Sequence, residues 1–271
     1  MQRPWPSVWL VVSLSVGALP ALAQTAMEDA TTCILKPREI VHLGSPVPGL
    51  LATIGADRGD TVKTGQIVAV LESSIEEVTL ILARARAAND AAIEGEKAEF
   101  DMLRHKLDRT RPLAEQRIAS QQTLEDVQSK LEESRNRIRQ AEMDRAQAAL
   151  EAERAQRQLG LRQIKSSING VVTERKLAPG EYVYEQTPIM TIAQVDPLNV
   201  ELVVPASRYG TIRAGMEAEV RPSAPVGGTY RAKVEVVDPV IDAASNTFGV
   251  RLVLPNHDNR IPAGIRCSVA W

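Results

Sequence analysis

The sequence predicts an α+β chain of several domains. A small β domain is cut in two by a long antiparallel α-helical coiled-coil hairpin, and a small antiparallel β-barrel follows. Three observations predict it. Between Ser74 and Arg162 the chain holds only two of its sixteen glycines, Gly95 and Gly160, and one of its sixteen prolines, Pro112. The stretches on either side are short, rich in turns, and echo each other. Beyond them come alternating apolar and polar residues, broken by glycine and asparagine turns, as short antiparallel strands require.

In chain order, residues 1–23 read as an export signal. Arg3 supplies the positive end, Val8 to Leu19 the apolar stretch, and Ala21-Leu22-Ala23 a small-residue cleavage site before Gln24. The apolar stretch is shorter than the ~20 residues of a membrane span, and an uncleaved anchor is the alternative. An exported, periplasmic protein is expected. Formal net charge falls from −2 to −3 when Arg3 leaves with the signal, so bulk electrostatics gives no reason to expect nucleic acid as a partner.

Residues 24–40 are expected to form a strand joining the barrel, and 41–73 the first half of the split domain. That half has turns at Pro48-Gly49, Gly59-Asp60 and Lys63-Thr64-Gly65, and the apolar run Ile67 to Leu71. Residues 164–195 form the second half, with turns at Asn169-Gly170 and Pro179-Gly180 and the run Pro188 to Ile192. Neither half could bury a core alone, so the two are expected to pair.

The hairpin occupies 74–163. In its second arm Leu124, Leu131 and Ile138 recur every seven residues, interleaved with Val127, Ser134, Ala141, Ala148 and Ala155. This is a coiled-coil seam tapering from large residues to alanine. The first arm carries Ile93, Phe100 and Leu107 at the same spacing, with Ala85, Ala88 and Ala92 toward the base. Matching large ends require antiparallel pairing within one chain, and arms of this length give a rod of about 55–60 Å. Gly95 should weaken the first arm locally. Pro112 disfavours helix at Arg111 and should end that arm, and Ser120 is placed to cap the second.

The barrel is expected over 196–271, from strands around Val200/Leu202/Val204, Val234/Val236 and Val250/Leu252/Leu254, with a short helix near Ala206 to Arg213. Cys33 and Cys267 lie near opposite ends of the mature chain. In an oxidising compartment an even pair reads as one disulfide, with two buried thiols as the alternative. It would close a loop worth about 5 kcal/mol on the chain-entropy account.

No catalytic constellation is visible. His42, His105 and His257 are scattered, the six methionines do not cluster, and nothing has metal-ligand spacing. No cofactor is expected, and the chain reads as a binding protein, not an enzyme.

The phrases GDTVKTGQIVAVLES and SSINGVVTERKLAPGEYV resemble the two lipoyl halves of periplasmic adaptor proteins, also called membrane fusion proteins, which serve tripartite efflux pumps. VDPLNVELVVP, NTFGVRLVLPN and IPAGIRC resemble that family's barrel strands. The resemblance implies an adaptor linking an inner-membrane transporter to an outer-membrane channel for efflux of small molecules, self-associating as a hexameric ring. It also implies a docking site at the hairpin tip, where Arg109, Leu113 and Ser120 fall at the family's spacing of an Arg, a Leu four residues on, and a Ser seven beyond.

Longer members add a membrane-proximal domain, and the chain ends at Trp271 after its last expected strand. A short form is therefore expected, which leaves the transporter class open. A transporter of the resistance–nodulation–division class is favoured over an ABC-type exporter or a type I secretion system. A biotin or lipoyl carrier is the remote alternative, since the hairpin stands where the carrier's modifiable lysine would be.

Overall fold

The structure, a computed structural model, describes residues 1–2 and 31–271. The expected export signal, beyond its first two residues, lies outside them. Among the described residues, no helix is long and apolar enough to cross a membrane. The chain divides into two units, residues 37–196 and the pair of segments 1–36 and 197–271.

In chain order the strands and helices are β1 Thr31–Gly44, β2 Gly49–Ile54, β3 Thr61–Val62, β4 Ile67–Leu71, α1 Ser74–Ala87, α2 Ala91–Glu115, α3 Gln121–Gly160, β5 Gln163–Lys165, β6 Gly170–Arg175, β7 Tyr182–Val183, β8 Pro188–Pro205, β9 Glu217–Pro222, β10 Tyr230–Val237, β11 Thr247–Leu254 and β12 Arg266–Ala270. The expected short helix after β8 is a single 3₁₀ turn, Ala206–Arg208.

In the larger unit, strands from before and after the hairpin share one core. Leu51, Val62, Val68 and Leu71 from the first half pack with Ile164, Val172, Val183, Ile189, Met190 and Ile192 from the second, all almost fully buried. The halves repeat each other down to their turns. Ser45 Oγ donates to the Val47 carbonyl at 2.5 Å, and Ser166 Oγ to that of Ile168 at 2.6 Å. The Asp60 carboxylate accepts from the Asp57 amide at 2.8 Å, and the Glu181 carboxylate from that of Ala178 at 2.7 Å. Gly170 is fixed by crowding, because a Cβ there would stand 2.5 Å from the Ala193 carbonyl oxygen.

Arg162 ties the hairpin base to this core. Its guanidinium holds Glu76 of α1 at 2.5 Å and donates to the Pro48 carbonyl at 3.1 Å. A side chain at Gly49 would collide with it, at 2.6 Å from Nη1.

In the smaller unit, β1, β12, β9, β10, β11 and β8 pair in that order and β8 returns to β1, closing a six-stranded barrel. Val200, Leu202, Val204, Val234, Val250, Leu252 and Leu254 point inward, as their alternation required. Val236 does not: a register shift in the β10–β11 pairing lies between Val234 and Val236, and Val236 is exposed. Cys33 and Cys267 face each other across β1 and β12 and form a disulfide, their Cα atoms 4.8 Å apart. On the outer face, Lys36 and Arg251 flank Glu201 and hold its carboxyl below the usual carboxylate range.

Candidate functional site: the hairpin and its tip

The two arms pack as the heptads require over the tip half. Leu103 and Leu107 of α2 bury against Val127 and Leu131 of α3, with Phe100 and Leu124 at the margin. Arg135 lies over the Phe100 ring, 5.7 Å from its centre. Ser134 is fully buried in the α3 seam, and its hydroxyl has no partner.

The base half departs from expectation. Ala85, Ala88 and Ala92 are exposed, while Leu80, Ala83 and Ala87 turn inward instead. Gly95, where local weakness is expected, sits inside an unbroken α2 with open space around it. The first arm breaks at Ala88-Asn89-Asp90, where the Asn89 side chain accepts from the Ala91 amide at 3.1 Å and draws the backbone out of helix. Opposite the break α3 runs on unbroken for 40 residues. Polar contacts bridge the arms there: Arg84 to Gln156 at 2.6 Å, Arg145 to Asp90 at 2.7 Å and Arg137 to Glu96 at 2.9 Å. Arg86, Asn89, Glu96, Gln140 and Asp144 help line a cleft of about 460 Å³ around it.

The tip corrects a second expectation. Pro112 does not end the first arm; it lies inside α2, which continues to Glu115. The proline removes only the amide that would bond the Asp108 carbonyl, in an exposed turn where water can replace it. Its own carbonyl accepts the Gln116 amide at 3.1 Å and so closes the helix.

The helix then ends in a Schellman motif. The Arg117 amide donates to the Ala114 carbonyl and the Ile118 amide to the Leu113 carbonyl, both at 2.9 Å. The motif needs a left-handed residue at position 117, a place usually given to glycine. Arg117 takes it, with φ 58°, at a cost of about 1 kcal/mol.

The motif also sets Ile118 beside Leu113, the pair that such helix ends bring into contact. Both remain exposed, Leu113 at 43% and Ile118 at 70%, so the tip carries a small apolar knob. Ser120 caps α3, its Oγ accepting the Thr123 amide at 3.1 Å and meeting the Thr123 hydroxyl at 2.8 Å. Arg109 stands one turn before Leu113 on the same face of α2, exposed. The three residues singled out from the sequence therefore fall at the helix ends that shape the tip, with Leu113 in both the knob and the turn. Ile118 was missed. The signal for it was present, as a lone aliphatic residue in a polar turn next to a helix end.

A split β domain, a helical hairpin rising from it to a capped apolar tip, and a β-barrel together define a membrane fusion protein, the adaptor class of efflux pumps. Residues 39–194 match the CzcB-like barrel-sandwich hybrid domain, and residues 198–271 the CusB-like β-barrel domain. The chain belongs to this family.

Among curated relatives, it is similar to the nodulation protein NolF of Rhizobium meliloti (25% identical over 238 residues, 85% of this chain and 59% of NolF). It is similar to the cobalt-zinc-cadmium resistance protein CzcB of Cupriavidus metallidurans (23% over 218 residues, 79% of this chain and 39% of CzcB). The multidrug resistance protein MdtA of Klebsiella pneumoniae is 26% identical over 261 residues, 89% of this chain and 59% of MdtA. The chain thus spans between 39% and 59% of the length of these relatives. Among solved structures, MacA from Actinobacillus actinomycetemcomitans has the same fold, with a TM-score of 0.73, 21% identity, and coverage of 89% of this chain and 78% of MacA.

Proposed function

We propose that the chain is a periplasmic adaptor joining an inner-membrane transporter to an outer-membrane channel for the efflux of small molecules, and that it binds without catalysing. The observation that carries this reading is the hairpin tip. At the far end of a two-helix rod, a Schellman turn and a serine cap hold Leu113 and Ile118 out to solvent beside Arg109. An apolar knob at a rigid end is a contact device, and tip-to-tip packing with a partner's helical hairpin would bury it. Ser120 would add a hydrogen bond while its Oγ keeps α3 capped.

Three further features support the reading. The repeated turns in the two halves of the split domain favour a lipoyl-like pair. On α1, Ile75, Val78, Ile81 and Leu82 are exposed on the side away from the buried Leu80, a stripe suited to lateral packing against a second copy in a ring, expected to be a hexamer. A transporter of the resistance–nodulation–division class is the favoured inner-membrane partner, in line with relatives named for multidrug and cobalt-zinc-cadmium resistance.

Cross-linking in the cell tests the tip. The sequence's two cysteines are joined to each other, so Gln116→Cys supplies the reactive thiol. A cross-link to an outer-membrane channel is expected. Cross-links only between copies of the chain would overturn the reading in favour of a structural coiled-coil protein. The inner-membrane protein recovered alongside, a proton-driven transporter or an ABC permease, decides the transporter class.

A further inference from the structure

The strained residue at the tip is unexplained by the turn itself. Of the four described non-glycine residues with positive φ, two are asparagines, Asn246 and Asn259, which tolerate that conformation; Arg117 is the one on the hairpin. Glycine would make the same Schellman bonds without the strain, and arginine contributes nothing to them. Nor does the Arg117 side chain find a partner among the described residues.

The neighbourhood shares this property. Along the rod most arginines, among them Arg84, Arg135, Arg137, Arg145, Arg157 and Arg162, hold a carboxylate or amide oxygen, while Arg86 and Arg154 hold none among the described residues. At the tip Arg109, Arg111 and Arg117 hold none among the described residues, although Asp108 and Glu115 are close in sequence. The tip thus carries guanidinium groups without a partner among the described residues, with Arg117 next in sequence to Ile118 and Arg109 one turn from Leu113 on the same face of α2. Non-glycine residues held in left-handed backbone gather at ligand clamps and switch regions, and arginine is the side chain best suited to a planar carboxylate.

We propose that Arg117 is a specificity-determining contact of the docking site, binding a carboxylate that the outer-membrane channel presents at the rim of an apolar pocket for Leu113 and Ile118. This rests on the tip-docking reading above and adds to it the chemistry of the partner surface: acidic at the rim, apolar at the centre. Arg117 is exposed just past the end of α2, so its guanidinium is open to a partner. Arginine is kept at the turn for the partner, against the turn's own preference for glycine.

The test sets stability against binding. Arg117→Gly, Arg117→Lys and Leu113→Asp are made in the full mature chain and titrated with the purified channel identified by the Gln116→Cys cross-link. Arg117→Gly is expected to leave the melting temperature unchanged or raised, because strain is relieved. It is also expected to weaken binding about tenfold and make affinity less dependent on salt. Arg117→Lys, which keeps the charge but not the planar fork, falls between it and the parent. Arg117→Gly binding as tightly as the parent, while Leu113→Asp abolishes binding, would overturn the role of Arg117 and leave the docking site standing. Leu113→Asp binding as tightly as the parent would overturn the docking site itself, and the proposal with it.

Discussion

The two arms of the hairpin face the same seam yet are built differently. The second is one helix of 40 residues, and the first is two helices of 14 and 25 residues separated by Ala88-Asn89-Asp90. The seam itself changes at that level. Toward the tip it is filled by Phe100, Leu103, Leu107, Val127 and Leu131; toward the base mostly by Ala83, Ala87, Ala141, Ala148 and Ala155, with Leu80 and Ile93 the larger buried residues there. The difference teaches where rigidity comes from. Large interlocking residues hold the tip half as one body, so the apolar knob is displayed on a firm end. The base half relies on alanine contact and on half-exposed polar bridges, and there the chain tolerates a broken helix.

The sharpest way to break this comparison is to put proline into each arm. Ala146→Pro, at an exposed position inside α3, is expected to destabilise the protein by about 3 kcal/mol or more. Ala91→Pro, at the first residue of α2, should cost only about 1 kcal/mol, because no helical amide is lost there and only the exposed bond to the Asn89 side chain goes. Urea unfolding of the two variants measures both, and equal costs would mean the break is not a real discontinuity.

Next in size is the seam. Leu131→Ala in the tip half should lose about 2–4 kcal/mol, against roughly 1 kcal/mol for Ala141→Gly in the base half. A third comparison concerns the hydroxyl of Ser134, buried without a partner in the seam. Ser134→Ala should stabilise by about 1 kcal/mol by removing an unpaid desolvation, read as a higher melting temperature.

The smallest effect belongs to the bridges at the break. Asp90→Asn with Glu96→Gln should cost the least of these changes, as exposed pairs contribute little, and the loss should vanish in about 1 M salt, where exposed charges are screened. A loss that persists in salt would mean these pairs act by packing rather than by charge.

Much of this was legible in the sequence, and the exceptions share a physical cause. The seam of α3 could be read because heptad spacing is a property of one uninterrupted helix. Across Asn89-Asp90 the first arm loses that continuity. Inward alanines chosen for their size, Ala85, Ala88 and Ala92, therefore fell on the wrong face, and the inward residues follow the phase set by Leu80. The barrel strands could be read from alternation until a shift in pairing put Val236 outside. The disulfide could be read from counting cysteines in a chain expected to be exported. At the tip, the cap at Ser120 could be read from its residue type and place, and Leu113 was singled out by the family's spacing, but the turn between them was misread. Pro112 signals a helix end that the chain does not take, and the true end at Gln116 lacks the glycine that marks such ends. Arg117 hides the Schellman turn, and Ile118 was hidden with it.

The central claim is that the hairpin tip is a docking end and that function depends on it. The most direct measurement is efflux by cells lacking this protein and supplied with the Leu113→Glu, Ser120→Glu double variant, with folding checked by circular dichroism. The account predicts an exported, folded protein that restores no efflux, because two carboxylates at the knob would make it unfit for burial against a partner. Efflux at the level of the parent chain, from a variant equally abundant and folded, would contradict it.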